Sequence, residues 1–276
     1  MCRLGYPPHS PPPPPLQVAP RAGGTSRPRG ARLLTVALFG FAPIAAVPVF
    51  TSHDALWTAV QACLAESPDG LCPGQQGGSA IGAWDVSAIT KMSFLFYSRK
   101  EFNQDLSAWD VSAVTKTDAM FHDAYAFNQD LSAWDVSAVT NMKTMFAHAR
   151  AFNQDISAWD VSAVTAMHGM FFGVHAFNQD LSAWDVSAVA DMSSMFCIST
   201  TFNQDLSAWD VSAATDMSRM FDRATGFHQV LCSAKWLSST ADKTDMFKGA
   251  GANSAICTGL PPPNPSPPPP PPPLPG

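Results

Sequence analysis

The stretch FNQDLSAWDVSAVTNMKTMF, residues 127–146, recurs along the chain with a period of 25 residues and decides the fold. Tryptophans mark the period at Trp84, Trp109, Trp134, Trp159, Trp184 and Trp209. Phenylalanines keep the same period at Phe102, Phe127, Phe152, Phe177, Phe202 and Phe227. Self-similarity at a fixed period of this length is the signature of a repeat architecture, so one unit and its stacking set the structure.

Two spacings of apolar residues occur within each unit. Alternation about Trp109 and Val111 predicts a short strand. A second set falls at i, i+3, i+6 and i+7, one face of a helix that Thr140 could cap: Val139, Met142, Met145 and Phe146. Each unit is therefore predicted to hold one short parallel strand and one short helix.

A single unit is too small to bury its own Trp, Phe and Met side chains, so neighbouring units must cover them. The fold class predicted for residues 81–257 is α/β, a leucine-rich-repeat-like solenoid of about seven 25-residue turns. The Trp column starting at Trp84 and the Phe column are predicted to be core rather than a stacking platform for sugars or bases.

The chain flanking the repeats divides into three further segments. Residues 1–49 form a leader, because a stretch containing Arg27, Arg29 and Arg32 precedes an uncharged apolar run, the order found in signal peptides and anchors. A disordered tail or an early start codon is the alternative. Residues 50–80 are predicted to be an N-terminal capping helix and loop, with Ser52 as N-cap and apolar residues at helical spacing, Leu56, Ala59, Val60, Cys63 and Leu64.

Residues 258–276 form a Pro-rich tail. Its last 16 residues hold 12 prolines, which favours an extended polyproline II segment. Such a segment is typical of an exported spacer, or of a cytosolic ligand for SH3-like partners.

The cysteines offer a test of the stacking register. Cys232 and Cys257 lie 25 residues apart in the same repeat column, which predicts adjacent backbones and a disulfide. Cys63 and Cys72 are candidates for a second bond, whereas Cys197 has no column partner and is predicted to be free. Small buried thiols are the alternative for all four paired candidates, since disulfides require an oxidising compartment.

Composition and motif content argue against several function classes. The formal net charge is −6 with 14% charged residues, and the repeats hold no basic run, which argues against a nucleic-acid partner. The histidines share no column, with His122, His148, His168 and His175 at different offsets, so spacing assembles neither a metal site nor a catalytic triad. No cofactor and no enzymatic activity are predicted.

Aspartates form two columns of one residue per unit. The first column holds weak calcium candidates, Asp110, Asp135, Asp160, Asp185 and Asp210. The alternative role, which the sequence favours, is that each Asp closes a turn of its own unit through backbone N–H groups. The asparagines of the column that begins at Asn103 are predicted to form an amide ladder that satisfies backbone groups.

The core W-D-V-S-A-V-T-x-M-x-x-M-F with its F-N-Q-D-L-S lead-in resembles the BspA-like leucine-rich repeat surface proteins that carry the DUF285 repeat. The resemblance covers Ile81 to about Lys248, and the helix of residues 50–66 is similar to the segment that precedes such repeats. It implies a solenoid displayed at a cell surface, some relatives being linked to adhesion, and it brings no enzymatic residues.

The segments that vary between units are the predicted site of specificity. They are residues 97–101, 122–126, 147–151, 172–176 and 197–201. The expected function is a non-catalytic, cell-surface or secreted scaffold that binds a protein or glycan ligand, attached to a membrane only through an N-terminal anchor. A passive structural or wall-associated solenoid, with or without calcium, is the alternative, and a parallel β-helix-type hydrolase or lyase is the least favoured reading.

Overall fold

A computed structural model describes residues 47–73 and 78–259 of the 276-residue chain. The predicted leader lies outside the described residues except for its last three positions, and so does the Pro-rich tail beyond Gly259. The described regular elements are α1 (His53–Glu66), a 3-10 helix (Ile81–Ala83), β1 (Val230–Leu231), α2 (Ala234–Ser238) and β2 (Ala255–Ile256). Most of the repeat region consists of turns joined by extended residues.

Successive units lie side by side in register. A continuous series of parallel bridges joins one residue of each unit to its equivalent in the next: Lys91, Lys116, Asn141, Ala166, Asp191, Asp216 and Asp242. Beyond this bridge every second N–H of a unit donates to the following unit, as from Thr144 to the His168 carbonyl at 2.8 Å. The donors of this ladder therefore point toward the C-terminal end of the stack, whereas the N–H that precedes each bridge residue, such as that of Thr140, donates to the preceding unit.

The helix predicted from Val139 to Phe146 does not form. The segment makes successive turns closed by i to i+3 bonds, such as Met145 N–H to the Met142 carbonyl at 3.2 Å. Thr144 has a φ of 50° and His148 a φ of 59°, left-handed values that interrupt an α-helix. Because alternate N–H groups donate to the next unit, they are not available for a helical i to i−4 ladder.

The strand predicted about Trp109 and Val111 is also absent as a regular element. Here two turns follow each other, with Trp109 N–H bonded to the Leu106 carbonyl and Val114 N–H to the Val111 carbonyl. Parallel pairing occurs instead at Lys116 and its equivalents. The alternation that suggested a strand reflects which residues of these turns face the core.

The core is a set of stacked columns. Equivalent phenylalanine rings lie nearly parallel, with 5.5 Å between the ring centroids of Phe121 and Phe146. Every repeat tryptophan is buried, and each indole of the units from Trp109 to Trp209 donates to a backbone carbonyl 28 residues earlier, as from Trp134 to Leu106 at 3.0 Å. Each Trp thus fills the core of its own unit and binds the preceding one.

Helix α1 covers the N-terminal end of the stack. Ser52 caps it, its hydroxyl accepting from Ala55 N–H at 3.3 Å, and the apolar face predicted from the sequence is buried. On the first unit, His53 Nε2 lies 3.0 Å from the Ser93 carbonyl oxygen, and Gln61 donates to the Leu95 carbonyl at 3.1 Å. These carbonyls occupy the positions that accept from a preceding unit elsewhere, so α1 replaces that unit.

Candidate binding surface

The first aspartate column closes turns. Asp135 accepts from the N–H of Ser137 at 3.0 Å and from its hydroxyl at 2.6 Å, and these bonds hold the pKa of the Asp135 carboxyl below its usual range. The other calcium candidates make the corresponding backbone bond at 3.0–3.1 Å: Asp110, Asp160, Asp185 and Asp210. One oxygen of each carboxylate is thereby committed to its own unit.

The second column behaves in the same way. Asp130 accepts from Ser132 N–H at 2.9 Å, and its equivalents repeat the contact. Among the described residues no group of three or more His, Cys, Asp or Glu side chains is arranged to hold a metal ion. The observed hydrogen bonds thus give both aspartate columns the role of closing turns.

The asparagine column links one unit to the next. The side-chain oxygen of Asn153 accepts from Asn178 N–H at 2.9 Å and from the Gln179 amide at 2.9 Å. The pattern repeats from Asn103 to the final N–H, which belongs to His228. These amides are therefore occupied by structural bonds.

Both candidate cysteine pairs are bonded in the structure. Cys63 joins Cys72 with Cα atoms 4.9 Å apart, and Cys232 joins Cys257 at 5.3 Å. Cys197 is disulfide-bonded as well, so the predicted free thiol is wrong. The disulfides indicate an extracellular environment, because such bonds persist in oxidising compartments.

In the variable segments, aromatic and histidine rings that occupy different repeat positions are in contact. Tyr97 stacks on His122 at 5.0 Å between centroids, His122 lies 6.0 Å from His148, and His148 lies 5.1 Å from Phe172. Burial lowers the pKa of His148, although the nearby Asp123 carboxylate opposes that shift. The 26-residue spacing of the two histidines hid this contact, because adjacent positions of neighbouring turns also touch.

A second feature of these segments was missed although it follows the repeat period. Lys100, Tyr125, Arg150, His175 and Thr200 occupy one repeat position and form a column, called here the cationic column. The Lys100 ammonium lies 5.3 Å and the Arg150 guanidinium 4.4 Å from the centroid of the Tyr125 ring. Reading each repeat position for charge as well as for hydrophobicity would have found it.

A cavity of about 220 Å³ lies at the N-terminal end of the cationic column, between α1 and the first unit. Its lining comprises Leu64, Pro68, Ser98, Arg99, Lys100, Glu101 and Phe102. Arg99 donates to the Gln61 side chain, while its buried Nε has no hydrogen-bond partner. Burial also lowers the pKa of the Arg99 guanidinium.

Near-identical units stacked in register, with sequence variation confined to one series of positions, define a tandem-repeat protein. The chain belongs to the DUF285 family, whose model, described as "Mycoplasma protein of unknown function, DUF285", matches residues 74–178 and residues 154–258. No curated protein and no solved structure matches the chain. No helix within residues 47–73 or 78–259 combines the length and apolar character needed to cross a membrane.

Proposed function

We propose that the chain is a leucine-rich-repeat-like solenoid of the BspA-like kind that acts outside the cell as a non-catalytic scaffold for a protein or glycan ligand. The observation that carries the proposal is the arrangement of the variable segments. Ala126 N–H donates to the Lys100 carbonyl at 2.9 Å and Ala151 N–H to the Tyr125 carbonyl at 3.1 Å, so these segments lie side by side. Single-unit differences therefore combine into one extended surface.

The invariant positions support this division of roles. The Trp and Phe columns are buried, the Asn column bonds unit to unit, and the Asp columns close turns. Exposed side chains of the variable segments, such as Arg150 and His175, have no comparable structural bond that recurs in every unit. Selection of a ligand would fall to these positions.

The test exchanges two variable segments and keeps composition and net charge constant. In the full-length oxidised chain, residues 122–126 receive AHARA and residues 147–151 receive HDAYA. The control is the parent chain carried through the same refolding. Binding to arrayed extracellular proteins and glycans should be lost by the exchange variant only, and unchanged binding would overturn the proposal.

The second candidate function is a passive structural or wall-associated solenoid, with calcium as a stabilising ion. It is favoured by the two uninterrupted carboxylate columns. Binding of Ca²⁺ to the folded chain would raise the midpoint of thermal unfolding, and EDTA would lower it. Because each carboxylate already closes a turn, we expect the same midpoint of thermal unfolding with Ca²⁺ and with EDTA, each in a molar excess over protein on the order of 10³.

A further inference from the structure

The cations of the described residues differ in whether a carboxylate neutralises them. Toward the C-terminal end, Lys235 pairs with Asp210 at 2.8 Å, and Lys248 pairs with Asp245 at 3.2 Å. In the first three units, Arg99, Lys100 and Arg150 form no ion pair with any residue that the structure describes. Lys91, Lys116 and Lys243 also lack an ion pair among the described residues, but Arg99, Lys100 and Arg150 are the ones that lie on the variable segments, in a chain whose net charge is −6.

Tyr125 orients the two cations on either side of it. Lys100 and Arg150 belong to the units before and after Tyr125, and both contact its ring. A guanidinium stacked on an aromatic ring keeps its N–H edge free to donate two parallel bonds to a carboxylate or sulfate. The ring therefore reduces the conformational entropy that Arg150 would lose when it binds an anion.

The cavity extends this arrangement toward α1. The buried Nε of Arg99 lacks a partner, and a buried donor without a partner destabilises its surroundings. An oxyanion entering beside Arg99 and Lys100 would accept from that group. Glu101, which also lines the cavity, is exposed and can turn toward water. Asp123 in the next unit lies 3.3 Å from His122 and also interacts electrostatically with Lys100, so an incoming anion competes with it for that ammonium.

We propose that the cavity at Arg99 and the cationic column from Lys100 to Arg150 bind an anionic polysaccharide through its carboxylate or sulfate groups. This inference rests on the proposed scaffold function and names the ligand class. The positions recur once per unit, about 4.8 Å apart for stacked backbones, which suits a linear polymer lying along the stack. Thr200 continues the column with a hydroxyl that can bond to sugar hydroxyls.

Other macromolecular partners fit this surface less well. None of the exposed large hydrophobic side chains among the described residues lies in a variable segment, so the surface lacks the apolar centre of a protein interface. Nucleic acid would need aromatic faces for base stacking, and the Tyr125 ring already contacts two cations. An acidic polysaccharide requires neither feature.

The experiment measures binding of the full-length oxidised chain to dextran sulfate and to polygalacturonate by surface plasmon resonance. Neutral dextran, poly-glutamate and single-stranded DNA serve as comparison ligands. Arg150→Gln and Lys100→Gln should each raise Kd for the anionic polysaccharides about tenfold, the loss expected for one charge-assisted contact. Lys116→Gln is the matched control, since Lys116 is an exposed cation of another column with no ion pair in the described structure.

Arg99→Met provides a second measurement at the cavity. Removing a partly buried guanidinium should leave the thermal midpoint within a few degrees of the parent, while polysaccharide affinity falls. Equal weakening by Lys116→Gln would reveal general charge attraction and overturn the proposal, as would binding of poly-glutamate or DNA that matches polygalacturonate. If the polysaccharides do not bind but the segment exchange abolishes another interaction, this inference fails and the scaffold function stands.

Discussion

Asn153 shows how much a single side chain does in a stacked repeat. Its amide oxygen accepts from the N–H of Asn178 and from the side chain of Gln179, both in the next unit. The contact recurs along the column, so each unit supplies an acceptor that the following backbone needs. A substitution at one position therefore acts on the interface between two units.

Replacing Asn153 by Ala should lower the free energy of unfolding by about 1–3 kcal/mol, because the N–H of Asn178 loses its acceptor, whereas the Gln179 amide keeps its bond to the Asn153 backbone carbonyl. Asn153→Asp keeps an oxygen at the same place and is the control, with a smaller loss expected. Urea unfolding followed by tryptophan fluorescence measures both. Equal losses in the two variants would show that the amide oxygen does not carry the contact.

Asp210 differs from the other carboxylates of its column because Lys235 contacts it. This bond, together with those from Ser212, lowers the pKa of Asp210 to about 2. A folded-state pKa below the unfolded value of about 3.9 means that the contribution to stability is present above pH 4 and is lost as pH falls toward 2. Lys235→Met should therefore raise the pKa of Asp210, as measured by carbon NMR titration of the carboxyl groups.

Asp110 is the internal control for that titration. It accepts from Ser112 but contacts no lysine, so its pKa should be the same in the parent and in Lys235→Met. A shift of both carboxyls would point to a change in the turns rather than to loss of one ion pair. An unchanged pKa of Asp210 would mean that Ser212 alone sets it.

At this scale the repeat period predicts much, because an apolar residue repeated in every unit has few places other than the core. The Trp column illustrates this, its residues being at most 4% exposed. Variable positions are harder to interpret, since they differ from unit to unit by definition. His122 and His148 touch although they are 26 residues apart, and only the stacked backbone reveals that contact.

The turn segment of each unit shows why the local spacing of apolar residues did not predict the secondary structure correctly. Apolar residues at Met142, Met145 and Phe146 match one face of a helix, and the same spacing suits a series of turns that presents every third or fourth side chain inward. The deciding interactions are hydrogen bonds to the next unit, which a single unit's sequence does not display. Left-handed residues such as Thr144 would be costly in a helix, and the stack holds them in place.

Arg223 tests the importance of these left-handed positions. Its φ is 57°, and the equivalent residues of two other units are glycines, Gly173 at 66° and Gly249 at 70°. Arg223→Val should lower the free energy of unfolding by about 1–2 kcal/mol, because a β-branched residue fits this backbone conformation poorly. Arg223→Gly should leave it equal or higher, as measured by urea unfolding.

The matched control is Lys248→Val. Lys248, like Arg223, is an exposed cation in an ion pair, but its partner Asp245 is less buried than Asp222, the partner of Arg223, and its φ is not positive. We expect a change within about 0.5 kcal/mol, the usual range for a surface substitution. Similar losses for both valine variants would show that the lost charge, rather than the backbone conformation, destabilises the chain.

Over the whole molecule the stack has two different ends. In the ladder that follows the bridge residue of each unit all donors point one way, so there the N-terminal end presents carbonyls and the C-terminal end presents N–H groups. Helix α1 covers the first end and supplies donors to Ser93 and Leu95. At the other end the ladder N–H groups of Lys243 and Asp245 have no acceptor within residues 47–73 and 78–259, and closure depends on β2 pairing with β1 and on a disulfide.

Because each unit contacts only its neighbours, removing that disulfide should loosen the C-terminal end first. The double variant Cys232→Ser with Cys257→Ser opens a 25-residue loop, which should cost about 3.5 kcal/mol in the chain-entropy description. Hydrogen exchange should accelerate around Trp236, whose indole bonds to the Leu206 carbonyl at 2.9 Å, while the unit of Trp84 keeps its protection. Uniform acceleration along the chain would instead show that the repeats unfold as one cooperative unit, in which case the disulfide stabilises every unit rather than the last one.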